Sequence, residues 1–131
     1  MKAIFKLGDK KYHSKRITES DLASFEKTIV HPVCSTFALA REMEWASRLF
    51  VLELLDYDEE GIGTKLEIYH KSPAILDEEL IIEATVQTLN QHEIICDINV
   101  KVDNRLIATG VTGQKVLKKS KIDRLISDIQ K

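Results

Sequence analysis

The chain has only two cysteines, Cys34 and Cys96, far apart and without a CxxC or Cys/His metal spacing. That rules out a disulfide-stapled scaffold and offers no metal-ligand motif, so both are read as reduced, small hydrophobic side chains. Neither sign of charge dominates. Lys and Arg number 19 against 21 Asp and Glu, a net charge of −2, and no basic stripe with interleaved aromatics marks a nucleic-acid surface. Long apolar runs are missing as well. No stretch approaches the ~18 uninterrupted apolar residues of a membrane span, and the opening MKAIFKLGDKK has an apolar run too short for the core of a signal peptide. A cytoplasmic protein with no membrane partner is the default expectation. Proline and glycine are sparse, at two and five residues, and there is no repeat, linker or low-complexity tract. At 131 residues, 44% hydrophobic and 31% charged, the composition is that of one globular domain spanning 1–131, neither disordered nor fibrous.

What is present is organised around STFALAREMEWASRLFVLELL, from Ser35 to Leu55, which reads as one long helix. On a helical wheel Thr36, Ala40, Met43, Ser47, Phe50, Val51 and Leu54 share a broad face, with Arg41 and Arg48 opposite and Trp45 among the charges. Glu44 falls at the border. A carboxylate set against a core is costly to desolvate and can serve as a general base or nucleophile. Arg48, four residues on, and Arg41, three before, offer the alternative of an ordinary surface ion pair of roughly 0.2–0.5 kcal/mol. Spacing leaves both readings open. Ser35 and Thr36 stand at the mouth of the helix, where a hydroxyl caps free backbone N–H groups.

Around this helix the expected elements are strands. Lys10 to Ile17, after a Gly8-Asp9 turn, reads as a polar edge strand. Thr18 to Val33 reads as a lid or connecting loop with a helical turn, because His31-Pro32 ends any helix there. The acidic run from Asp56 to Gly63 stops the central helix. Thr64 to His70 alternates with Leu66, Ile68 and His70 on one face, toward the helix. His70 is then either a hydrogen-bonded core histidine or, since Lys71-Ser72-Pro73 breaks the strand behind it, an exposed strand-end group. Leu80 to Leu89, Ile94 to Val102 and Arg105 to Leu117 complete the set. Asp103-Asn104 is a two-residue turn, and Gly110 and Gly113 mark a bulge or a close backbone approach. Ser120 is expected to cap a short helix carrying Ile122, Leu125, Ile126 and Ile129. The architecture implied is α+β, an antiparallel sheet of about five strands wrapped around one long helix. One helix cannot cover such a sheet, and a homodimer joining two sheets edge to edge relieves the exposure.

A hydroxyl at Thr36 followed by Met43-Glu44-Trp45-Ala46, then GTKLEIYH at Gly63 to His70 and DNRLIATG at Asp103 to Gly110, resembles the fluoroacetyl-CoA thioesterase-like family of the hotdog-fold thioesterases. The resemblance covers nearly the whole chain and implies a hotdog fold and hydrolysis of an acyl-CoA thioester without a metal or other cofactor. It implies a catalytic set of Thr36, Glu44 and His70, with substrate contacts at Ser35, Gly63 and Gln114. Glu44 would attack the carbonyl or activate a water, His70 would shuttle a proton, and Thr36 would orient the reacting groups or be the nucleophile. Backbone N–H groups near Gly63 or the helix start would hold the oxyanion. Eight helical residues rise ~12 Å, so Thr36 and Glu44 cannot touch within one regular helix. Either Thr36 precedes the first turn or the site is completed across a dimer, possibly within a dimer of dimers.

Two departures narrow the substrate. The lid phenylalanines of family members selective for fluoroacetyl-CoA are matched here by Lys27 and Val30, which argues against that selectivity and for another short or unusual acyl group. The basic residue late in the last strand is matched by Gln114, although Lys115, Lys118, Lys119 and Lys121 could meet CoA phosphates or simply form a solvated strand end. Cys34 with His31 is a further nucleophilic pair, without an evident orienting group. A non-catalytic acyl-CoA-binding module is the alternative from a different functional class.

Overall fold

The computed structural model describes residues 1–25 and 28–131; Lys27, one of the two positions matched to the lid phenylalanines, lies outside them. Strand β1 spans Lys10–Arg16, β2 Leu22–Phe25, β3 Thr28–Cys34, helix α1 Thr36–Leu54, β4 Glu59–His70, β5 Glu79–Leu89, β6 Glu93–Val102, β7 Arg105–Lys118 and helix α2 Lys119–Ile129. Five strands form an antiparallel sheet in the order β1-β5-β6-β7-β4. The expected antiparallel sheet around one long helix is therefore found, with β1 and β4 as its edges.

Helix α1 forms where the wheel requires. Ser35 is its N-cap, in an extended conformation, and its hydroxyl accepts from the Ala38 N–H at 2.9 Å. The face that enters the sheet carries Leu39, Met43, Ala46, Phe50, Val51 and Leu54, all fully buried, against Leu80, Ile82, Ala84, Ile98 and Val100. Four assignments shift by part of a turn: Leu39 and Ala46 join the buried face, whereas Thr36 is exposed and Ala40 half-buried. Phe50 stacks edge-on to Phe5 with ring centroids 4.9 Å apart.

Three elements differ from expectation. The segment before α1 is a two-stranded hairpin, β2 with β3, preceded by a 3-10 turn at Glu19–Asp21. Pro32 sits within β3, which is tolerated because a two-stranded ribbon is all edge. Strand β4 begins five residues before Thr64, at Glu59, because Glu59 through Gly63 pair with Lys118 through Gln114 of β7. Two glycines permit that pairing to run beneath the helix: a methyl group on Gly61 would lie 2.4 Å from Val51 Cγ1. Finally, α2 starts directly at the end of β7, with Lys118 as N-cap and no capping side chain. Ser120 therefore lies inside the helix rather than at its cap.

Both expectations for the late glycines are met: the register of β4 against β7 shifts by one residue between Gly63 and Lys65, opposite Gln114 and Gly113, and Gly110 is a close approach. A methyl group there would sit 2.1 Å from the Glu67 carbonyl oxygen and 2.4 Å from Met43 Cε. At Asp103 the turn between β6 and β7 takes φ of 50°, a left-handed conformation that Asp tolerates. The face of β4 turned toward α1 is not fully covered: Ile68 and His70 are half-buried, but Leu66 remains 45% exposed.

Candidate active site

The lateral packing of α1 on the start and end of β4 creates two separate clusters. At the N-terminal end of the helix, Thr36 is the first helical residue, while His70 is the last residue of β4. Thr36 Oγ1 and His70 Nδ1 are 2.9 Å apart and share a hydrogen bond whose donor depends on the imidazole tautomer. The two hydroxyls at the helix mouth thus divide their work: Ser35 caps and Thr36 engages the histidine. His70 Nε2 is buried and has no partner among the described residues. An orphaned buried ring nitrogen costs ~1–3 kcal/mol, and it is an atom through which a proton can pass.

Two turns along the helix, Glu44 projects over Gly63. Its carboxylate occupies the space a side chain would need there: a methyl group on Gly63 would lie 2.1 Å from Glu44 Oε1. Glycine at 63 is what lets this acid lie on the strand. Glu44 is exposed, and its carboxylate enters no salt bridge among the described residues. Arg48 is turned away instead, donating to Glu60 at 2.9 Å and weakly to the Gly61 carbonyl at 3.4 Å. The early start of β4 puts Glu60 there to receive it, so the Glu44–Arg48 ion pair is not formed. The Gly61 N–H and then the Arg48 guanidinium hold the Glu60 carboxyl below its ordinary value.

Gln114 anchors this second cluster from below. It pairs with Gly63 in the sheet, is buried, and donates through Nε2 to Ser47 Oγ at 2.9 Å and to the Glu44 carbonyl at 3.3 Å. A short amide can satisfy those acceptors without the cost of burying a basic group. Of the nearby lysines, Lys118 is tied to Asp58 at 2.9 Å, and Lys115, Lys119 and Lys121 are exposed.

A cleft of about 480 Å³ takes in Glu44, Gly63 and Gln114 together with Arg41, Trp45, Arg48 and a His13–Glu42 pair 3.0 Å apart. Thr36, His70 and Ser35 are not part of its lining. The structure thus brings Thr36 to His70, and Glu44 to Gly63 and Gln114, but it does not join the two clusters within one protomer. His13 and Glu42 were missed from sequence because β1 and α1 meet only in the fold, and no spacing rule links residues 29 apart. The Cys34–His31 alternative fails on burial. Cys34 is buried, and desolvation, followed by the charges of Asp21 and Glu42, pushes its thiol up to about 11, so no thiolate is available near neutrality.

An antiparallel sheet packed around one long helix is the hotdog architecture. A Thermus thermophilus thioesterase-superfamily protein superposes with a TM-score of 0.90 at 26% identity, covering 95% of this chain and 93% of that one. A hot-dog-like protein from Thermanaerovibrio acidaminovorans gives 0.87 at 17% identity over 95% and 92%. A mutant of the fluoroacetyl-CoA-specific thioesterase FlK gives 0.86 at 16% over 97% and 98%. The model of the FlK family, fluoroacetyl-CoA-specific thioesterase, matches residues 17–120, and the chain belongs to that family. No curated protein sequence matches the chain significantly.

Proposed function

We propose that this protein is an acyl-CoA thioesterase acting on a short or unusual acyl group, with Thr36, Glu44 and His70 as its catalytic residues and Ser35, Gly63 and Gln114 around the substrate. The observation that carries this reading is the 2.9 Å Thr36 Oγ1–His70 Nδ1 hydrogen bond with His70 Nε2 left buried and unpaired. Mutants of FlK have been crystallised with fluoroacetate and CoA, and with acetyl-CoA, which fits a thioester substrate here. Val30, in place of a lid phenylalanine, speaks for an acyl group other than fluoroacetyl.

The separation of the two clusters is resolved by a homodimer. Strand β4 is a free edge, and antiparallel pairing of two β4 strands centred on Glu67 lays each His70 beside the partner's Gly63 and Glu44. In that arrangement the thioester carbonyl lies between the Glu44 carboxylate of one copy and the Thr36–His70 pair of the other. Either Glu44 takes a proton from a water whose oxygen attacks the carbonyl carbon, or the carboxylate attacks it directly and water then hydrolyses the resulting mixed anhydride, restoring Glu44. Backbone N–H groups at the helix start and Gly63 receive the oxyanion. The C–S bond breaks as His70 delivers a proton to the departing sulfur, and a C–O bond replaces it, giving free acid and CoA thiol. Gln114 keeps the Glu44 turn in place, and the exposed Lys115, Lys119 and Lys121 are suited to the CoA phosphates.

A panel of acyl-CoAs assayed for thiol release tests the proposal. Turnover of at least one substrate, lost in Glu44→Ala and His70→Ala, supports it. Saturable acyl-CoA binding with no thiol released from any member would make the protein a binding module instead.

A further inference from the structure

Helix α2 has almost nothing of its own chain to lie on. Ile122, Leu125, Ile126 and Ile129 share one face at i, i+3, i+4 and i+7, yet none of its residues is buried, and Leu125, Ile126 and Ile129 are 50%, 50% and 84% exposed. Isolated helices shorter than ~12–15 residues are marginal in water, and this one has eleven residues and no capping side chain. The family match ends at residue 120, so α2 lies almost wholly beyond the part that defines the family.

A second uncovered apolar patch lies at the root of the β2–β3 hairpin. Ile75 and Leu76 are 54% and 40% exposed, and a bridge between Val33 and Ile75 ties the root of the hairpin to the segment after β4. Sheet register relates the two patches. Lys118, from which α2 springs, pairs with Glu59 of β4. In the dimer proposed above, Gly63 lies beside the partner's His70. Four residues back along β4, Glu59 then lies beyond the end of the partner's β4, on the side of the segment that carries the partner's Ile75 and Leu76. Charge agrees: Lys119, Lys121 and Arg124 make no salt bridge among the described residues, and neither do Glu19 and Asp77 beside the hairpin root.

We propose that the apolar face of α2 packs against the hairpin root of a second copy of this chain, at Ile75 and Leu76, so that the C-terminal helix of one protomer holds the hairpin beside the other protomer's Thr36 and His70. The inference rests on the dimer reading of the proposed function, and the two fail differently. Hydrogen exchange and light scattering on the full-length protein test it. In the wild type, a dimer with α2 amides protected about tenfold or more over free-peptide rates is expected. Leu125→Glu with Ile129→Glu should speed exchange of β3 by about tenfold or more, and Ile75→Glu should do the same to α2. Ser127→Glu, outside the apolar face, should leave both rates alone. A monomeric wild type overturns both readings. A dimer in which Ile75→Glu leaves α2 exchange unchanged overturns the docking alone, since packing of α2 on any other surface, a second α2 included, would give that result.

Discussion

The two ends of the α1–β4 contact are built differently. At the end where Thr36 meets His70, two side chains hydrogen-bond to each other and leave a ring nitrogen buried without a partner. At the other, Glu44 lies on a glycine while its backbone carbonyl is held by Ser47 and Gln114 and its carboxylate is left unpaired. One end has a buried imidazole nitrogen without a partner and the other a carboxylate without one. In the proposed reaction neither acts alone, which is why we place them together across a β4 edge.

The largest effects should come from removing either unpartnered group. Glu44→Ala and His70→Ala are each expected to lower kcat for an acyl-CoA by ~10²–10⁴-fold, with unfolding midpoints near wild type because Glu44 is exposed and His70 sits at a strand end. Loss of folding in place of activity would make them structural. Next, the two glycines that receive α1 should separate chemistry from stability. Gly63→Ala meets only the tip of a flexible side chain, so it should displace the Glu44 carboxylate and cost ~10²-fold in rate with a stability change within ~0.5 kcal/mol. Gly110→Ala meets the Glu67 carbonyl at 2.1 Å, and should cost ~1–3 kcal/mol in a denaturant titration. Equal stability losses at both glycines would erase the distinction.

A smaller effect concerns Arg48. Glu60 keeps it from Glu44, and because the Glu60 carboxyl is held below its ordinary 4.5, the stability it contributes is present above that pH and lost as pH falls through the lowered value. Glu60→Gln should free Arg48 to pair with Glu44 and reduce kcat several-fold at neutral pH, with a flatter acid limb in the stability profile. The mildest expectation is at the thiols. Burial pushes Cys34 up to about 11 and Cys96 up to about 12, so a thiol reagent at pH 8 should label neither until the chain is unfolded.

Much of this was legible in the residues. The capping Ser35, the apolar stripe of α1 and the alternation of β5, β6 and β7 fixed those elements to within a residue or two, because each is dictated by a local period. The start of β4 was hidden, since Glu59, Glu60 and two glycines carry no strand signal and pair only because β7 lies alongside. The hairpin before α1 was hidden for the same reason: Leu22, Phe25 and Ile29 at helical spacing became a ribbon through cross-strand pairing. Within the site, the bond between Thr36 and His70 and the fit of Glu44 over Gly63 join elements distant in sequence. Spacing alone allowed Glu44 an arginine partner that Glu60 in fact takes.

The proposal that the site is assembled from two copies is tested most directly by mixing the Glu44→Ala and His70→Ala proteins after dissociation and measuring thiol release. If Glu44 of one chain serves His70 of the other, each mixed dimer regains one intact site, and a statistical mixture should recover about a quarter of wild-type activity. A mixture as inactive as either parent, with mixed dimers demonstrably formed, would contradict it.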